Sequence, residues 1–184
     1  ENGDTDFGGN NLTYRIMQYL KVLLAEKFGF KMTVTSQEIL HELDMDIFRY
    51  VDANGTEELY RTLEEAYCMA EKKIPTRFRE YEARSREEYF KVKNNFYLLF
   101  FLAEQVKKHF YEQGGILRVG ITSTEKESSD IIWIQADKWK LSVQGEEGFR
   151  IVKEFPEMIL NLYELELILK GDIYGIIHKF MEPL

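Results

Sequence analysis

The chain is poor in residues that staple or break a fold. Cys68 is its single cysteine, which excludes an intrachain disulfide and a cysteine-based zinc cage. It falls mid-helix between Tyr67 and Met69 and reads as an inert buried thiol. A lone thiol suits a reducing compartment, so an intracellular setting, cytoplasmic or nuclear, is expected. Three prolines leave most elements free to run long. No apolar run approaches the ~20 residues a bilayer requires. The strongest, Phe96 to Leu102, is bounded by Asn95 and Glu104 within two residues. Cations are scarce too: 24 Lys and Arg stand against 32 Asp and Glu, a net charge of −8. The deficit is evenly spread, with eight cations against twelve anions from Gly114 onward. Neither part is a basic module that would release counterions from a nucleic-acid backbone, so nucleic acid is not an expected partner. Missing as well are a Gly-x-Ser-x-Gly elbow, a Walker loop and a dinucleotide glycine fingerprint. Gly114-Gly115 ends a helix, whereas a phosphate loop has to begin one.

What the chain does have is length, rings and helical period. Its 184 residues, with thirteen Phe and eleven Tyr, suffice for one domain whose core is filled largely by aromatics. Residues 1–11 read as a flexible leader and 12–184 as a single α+β domain. Leu12, Ile16, Tyr19, Leu20, Leu23 and Leu24 predict a first helix that stops at Gly29. Thr35-Ser36-Gln37-Glu38 matches a capping box opening a second helix through Ile39, Leu40, Leu43, Ile47 and Val51. Thr56 caps a third, closed by Pro75. Thr76 to Gln113 lacks breakers and predicts one long helix, charged first and greasy later, with a bend near Asn94-Asn95. The helical part thus covers 12–113.

From 116 to 184 the period changes. Ile116–Thr122, Asp130–Ala136, Lys140–Val143 and Phe149–Phe155 alternate, which predicts an antiparallel meander of three or four strands with a tight turn at Glu146-Glu147-Gly148. Met158–Leu169 reads as a buried helix after Pro156, although Tyr163, Leu165, Leu167 and Leu169 alternate with glutamates and keep a strand reading open. Gly171 ends that element and Asp172 caps a last helix.

Chemistry-bearing side chains are few. Glu38, His41 and Glu42 share one helix face and form a candidate divalent-metal set, with a solvated acidic face as the plainer reading. Arg77, Phe78, Arg79, Tyr81, Arg84 and Arg86 form the most arginine-rich stretch. Their plain reading is an exposed helix whose Arg and Glu pair with one another, and their functional reading is an arm that meets a protein partner. Trp133 and Trp139 frame Gln135, Asp137, Lys138 and Lys140, a second candidate contact surface that core packing would equally explain.

Ile39-Leu40-His41-Glu42-Leu43, followed by Leu117-Arg118-Val119-Gly120-Ile121-Thr122, resembles the N-terminal cap-snatching endonuclease domain of influenza-type polymerases. The resemblance covers about twenty residues. It implies a helix histidine and strand carboxylates around two divalent ions. Arg118 stands near the place of an acidic ligand, so it implies a degenerate, inactive member.

The leading expectation is a non-enzymatic protein-interaction or regulatory domain, part of a larger protein or assembly, with no cofactor. The alternative is a metal-dependent nuclease-like domain, which requires carboxylates such as Asp130 or Asp137 to converge on His41. A third reading is a small-molecule sensor with a pocket between the strands and the Phe96–Phe110 helix.

Overall fold

The first helix, α1 (Gly9–Lys27), is buried on almost every side. The computed structural model describes residues 9–44, 58–112, 118–136 and 140–181. The leader's first eight positions lie outside these residues, and helix begins at Gly9. Ile16, Met17, Leu20 and Leu24 supply the apolar contact, but Thr13, Gln18 and Lys21 are fully buried as well. α1 is therefore the central strut of the helical part rather than a one-faced amphipathic helix. It ends where Gly29 takes φ +70°. Phe30 N–H donates to Ala25 O at 3.0 Å and Gly29 N–H to Glu26 O at 2.9 Å, closing the last turn as a Schellman motif.

The capping box predicted at Thr35 is present and opens α2 (Ser36–Leu43). Glu38 N–H donates to Thr35 Oγ1 at 3.2 Å, and Thr35 N–H to Glu38 Oε2 at 2.8 Å. The continuation expected through Ile47 and Val51, and the cap at Thr56, lie outside the described residues. α3 (Arg61–Glu71) turns Leu63, Ala66, Tyr67 and Ala70 inward.

The single helix expected from Thr76 to Gln113 is divided. A 3-10 turn covers Phe78–Tyr81, and α4 (Arg86–Glu112) starts afresh after Ser85, whose carbonyl accepts from Tyr89 N–H at 3.0 Å. The division follows from Glu71: its Oε1 accepts the Thr76 and Arg77 amides at 2.9 Å each, holding the loop in a non-helical path. α4 then runs as one helix through Asn94 and Asn95. Asn95 is fully buried and works as a clamp: its amide donates to Pro75 O at 2.9 Å and Ser142 O at 2.7 Å, and its oxygen accepts Ser142 N–H at 2.8 Å. Leu98, Leu99, Leu102 and Val106 form the apolar stripe of α4.

The strands are β1 (Arg118–Thr122), β2 (Ile131–Gln135), β3 (Ser142–Gly145), β4 (Gly148–Ile151) and β5 (Met158–Asn161). The α+β class and the positions of β1 to β4 agree with the pattern, but the connectivity is not a meander. β1 is central in a sheet ordered β2-β1-β5, parallel to β2 and antiparallel to β5, while β3 and β4 form a separate hairpin. Val119 to Thr122 are buried at successive positions, and burial on both faces is what a central strand needs. The polar segment 123–130 is long enough to carry the chain back for a parallel start. The hairpin turn falls at Glu146-Glu147, with Gly148 at φ +111°.

Met158–Leu169 is divided: the alternating stretch Tyr163–Leu169 is helical, and a strand precedes it. β5 takes Met158–Asn161, and Asn161 caps α5 (Leu162–Met181), with Glu164 N–H donating to Asn161 Oδ1 at 2.8 Å. Gly171 does not end this helix. A Cβ there would lie 2.5 Å from Leu59 Cδ2 and 2.9 Å from the Tyr60 hydroxyl, so the glycine lets α5 pack against Leu59 and Tyr60. Tyr60 O–H donates to Ile168 O at 2.6 Å.

Candidate partner-binding surface

The loop that carries the 3-10 turn stands on a buried ion pair. Lys21 is fully buried, its ammonium donates to Glu71 Oε2 and, at 2.9 Å, to Thr76 Oγ1, and it lies 4.4 Å from the Tyr67 ring centroid. Burial, reinforced by the nearby Arg77 charge, holds the Lys21 pKa well below the usual lysine range. Glu71 thus couples a rigid inner anchor to an exposed segment.

Phe78 leads that segment back onto α4. Its ring lies 5.3 Å from Phe96, 6.0 Å from Tyr89 and 6.3 Å from Tyr97. The stack continues to Phe90, 5.4 Å from Tyr89, and to Phe100, 5.8 Å from Phe96. Tyr81 reaches Phe149 on the hairpin at 6.3 Å. Cations lie over these rings: Arg84 on Tyr81 at 4.7 Å, Arg86 on Phe90 at 5.6 Å, and Lys93 between Tyr89 at 5.5 Å and Phe78 at 5.8 Å. Phe90 keeps 51% of its surface in water and Tyr97 45%. Within this connected group Phe90 and Tyr97 are the exposed rings, and Phe78, Tyr89, Phe96 and Phe100 are partly covered.

The Arg and Glu residues of 77–88 do not pair off as an exposed helix would. Among the described residues, Arg79, Arg84, Arg86 and Lys93 make no ion pair, while Glu87 is engaged by Lys91 at 2.7 Å. That hydrogen bond holds the Glu87 carboxyl below the usual carboxylate range. The 3-10 geometry breaks the three- and four-residue spacing on which helical pairing depends. Guanidinium groups resting on rings keep their N–H edges open to carboxylates.

Of the predicted contact residues, Phe78 and Arg86 belong to the ring group on α4, Tyr81 and Arg84 stack on each other against Phe149, and Arg79 is exposed. Arg77 turns toward α3, 5.9 Å from the Tyr67 ring centroid and 3.7 Å from Cys68 Sγ. Cys68 is exposed, contrary to the buried thiol expected: it lies off the face formed by Leu63, Ala66, Tyr67 and Ala70. Trp133 packs flat on Gly120, where a Cβ would lie 2.4 Å from its ring, and Lys126 covers it at 4.9 Å. Trp139 lies outside the described residues. Tyr89, Phe90, Lys93, Tyr97 and Phe149 join the surface unpredicted. The signal was available for most of them, since Lys93 lies four residues after Tyr89 and Phe90, Lys93 and Tyr97 recur at helical spacing.

Glu38, His41 and Glu42 do share the outer face of α2, lining an open cleft of about 650 Å³ with Arg61, Thr62 and Glu65. Both carboxylates are already employed: Glu38 closes the capping box and Glu42 accepts the Thr62 hydroxyl. Among the described residues no three His, Cys, Asp or Glu gather closely enough to hold a metal. Asp130 is engaged by the Ser128 hydroxyl at 2.6 Å and by Arg118, which together hold its carboxyl below the usual range. Asp137 lies outside the described residues.

Comparison with family models, curated proteins and solved structures gives no match to this chain. Among the described residues no helix is long and apolar enough to cross a membrane.

Proposed function

We propose that the domain is a non-enzymatic interaction module, a regulatory piece of a larger assembly, that docks an acidic protein segment on the Phe78–Tyr97 surface. The observation that carries this reading is the coincidence of Phe90 and Tyr97, each about half exposed, with Arg86 over Phe90 and with Lys93 over Tyr89 and Phe78, the rings that Phe90 and Tyr97 touch. On a chain of net charge −8, unpaired cations at an aromatic surface select an acidic partner segment. Aromatics and arginine are also the side chains that dominate interface energetics. An intracellular setting fits an exposed thiol with no partner cysteine in the chain.

The test is fluorescence polarisation with labelled peptides: one rich in Asp and Glu around a single Trp, one with Lys in their place. The acidic peptide binds, weakens with salt, and loses about tenfold or more in affinity to Phe90→Ala/Tyr97→Ala and to Arg84→Glu/Arg86→Glu. Equal binding of both peptides, or indifference to both double variants, rules the reading out. Millimolar manganese should leave the melting temperature unmoved. A clear rise would instead support the metal-dependent nuclease-like alternative.

A further inference from the structure

A second concavity lies away from the aromatic surface, where β1 and β2 end. Ser123 and Ala136 follow those parallel strands, and Ala136 N–H donates to Thr122 O at 2.8 Å. The hairpin stands across from them, closed at its open end by Val152 N–H donating to Leu141 O at 2.8 Å. It cannot fold down to fill the gap, because Asn94 holds Lys140 O at 2.7 Å and Asn95 holds both the amide and the carbonyl of Ser142. A cleft of about 320 Å³ remains, with Ala136, Leu141 and Phe155 as its buried apolar floor and the half-exposed Ile151 as a wall. Space outside the carboxyl ends of parallel strands is a recurrent ligand position in open sheets.

The rim is charged in one sense. Lys140 and Lys153 line the cleft from two different strand ends, Ser123 adds a hydroxyl, and no carboxylate is among the described lining residues. Neither lysine makes a side-chain ion pair among the described residues, although Asp and Glu outnumber Lys and Arg across the chain. An apolar floor beneath two ammonium groups and one hydroxyl, with no ion pair to either lysine among the described residues, suits a small amphiphile with an anionic head.

We propose that this cleft binds a small amphiphilic carboxylate, its apolar body against Leu141, Ile151 and Phe155 and its carboxylate between Lys140 and Lys153. The site does not depend on the partner-binding reading. Its size admits a short acyl chain or one aromatic ring rather than a long lipid tail.

Isothermal titration of the intact chain with octanoate tests it, beside 1-octanol (same body, no charge), octylammonium (opposite charge) and acetate (charge, no body). Octanoate binds saturably and the other three at least about tenfold more weakly. Lys140→Met/Lys153→Met and Ile151→Asp each lower octanoate affinity about tenfold or more; all three positions are exposed, and unchanged melting curves check that the variants fold. In two-dimensional NMR the shifted amides include Ala136 and Val152. Comparable binding of octanol, full affinity in the lysine variant, shifts confined to other regions, or no saturable binding at millimolar octanoate would each overturn the proposal.

Discussion

Lys21→Met should destabilise the protein out of proportion to the single charge it removes. The methionine keeps most of the apolar stem but takes the ammonium from Glu71, whose side chain is only 12% exposed. Glu71 retains three acceptor bonds, from Thr76 N–H and Arg77 N–H at 2.9 Å and from Thr76 Oγ1 at 3.0 Å. Removing one partner of a buried pair costs roughly 3–5 kcal/mol; those three bonds place this case at the low end, about 3 kcal/mol. With a urea slope of about 2 kcal/mol per molar, the unfolding midpoint falls by about 1.5 M. Glu71→Ala should cost more, since it strands the buried ammonium and also uncaps the Thr76–Arg77 loop. Lys21→Met/Glu71→Gln should recover part of the loss, because a glutamine oxygen still accepts the two amides. The sign with pH follows from the depressed Lys21 pKa. Between the folded value and the ordinary one near 10.5, the unfolded chain carries a proton that the folded chain has released. Stability from this group therefore rises with pH across that window, and the deficit of Lys21→Met widens with it. An unchanged urea midpoint in Lys21→Met, or a deficit that narrows toward alkaline pH, would refute the reasoning.

Other perturbations probe separate parts of the fold. Gly120→Ala places a Cβ 2.4 Å from the Trp133 ring; a loss of about 1–3 kcal/mol is expected, with altered tryptophan emission and partial rescue by Trp133→Leu. Asn95→Leu removes three bonds from a fully buried clamp and should cost about 2–4 kcal/mol, with amide exchange rising first in the hairpin. In the native protein Cys68 should react with one equivalent of a thiol-specific disulfide reagent. A thiol that reacts only in denaturant would show the exposure to be wrong.

Local rules carried the sequence reading far, and it failed where long-range contacts decide. The capping box at Thr35, the Schellman stop at Gly29 and the hairpin turn at Glu146-Glu147 depend on a few adjacent residues and were legible. The break after Pro75 was not, because Glu71, Lys21 and Thr76 act together and Lys21 lies 50 residues from Glu71 in sequence. Alternation located β1 to β4, missed β5 inside a stretch read as helix, and could not choose neighbours, since side-chain period does not show which strands bond to the two edges of β1. Gly171 looks like a terminator by composition, and only the proximity of Tyr60 shows why a helix would carry a glycine there. The contact surface was half legible: Phe78, Tyr81, Arg84 and Arg86 stood out by type, while Phe149 comes from a hairpin whose position rests on Asn95.

The pairing of Arg15 with Asp172 spans 157 residues, at 2.9 Å. Gln18 and Glu64 share the same junction, bonded at 2.8 Å. α1 therefore cannot seat its polar side until α5 has been made. Such a chain should fold as one cooperative body, slowly for its helix content. Cutting it at Gly114-Gly115, where the composition changes so visibly, should yield two pieces of which neither is stable by itself.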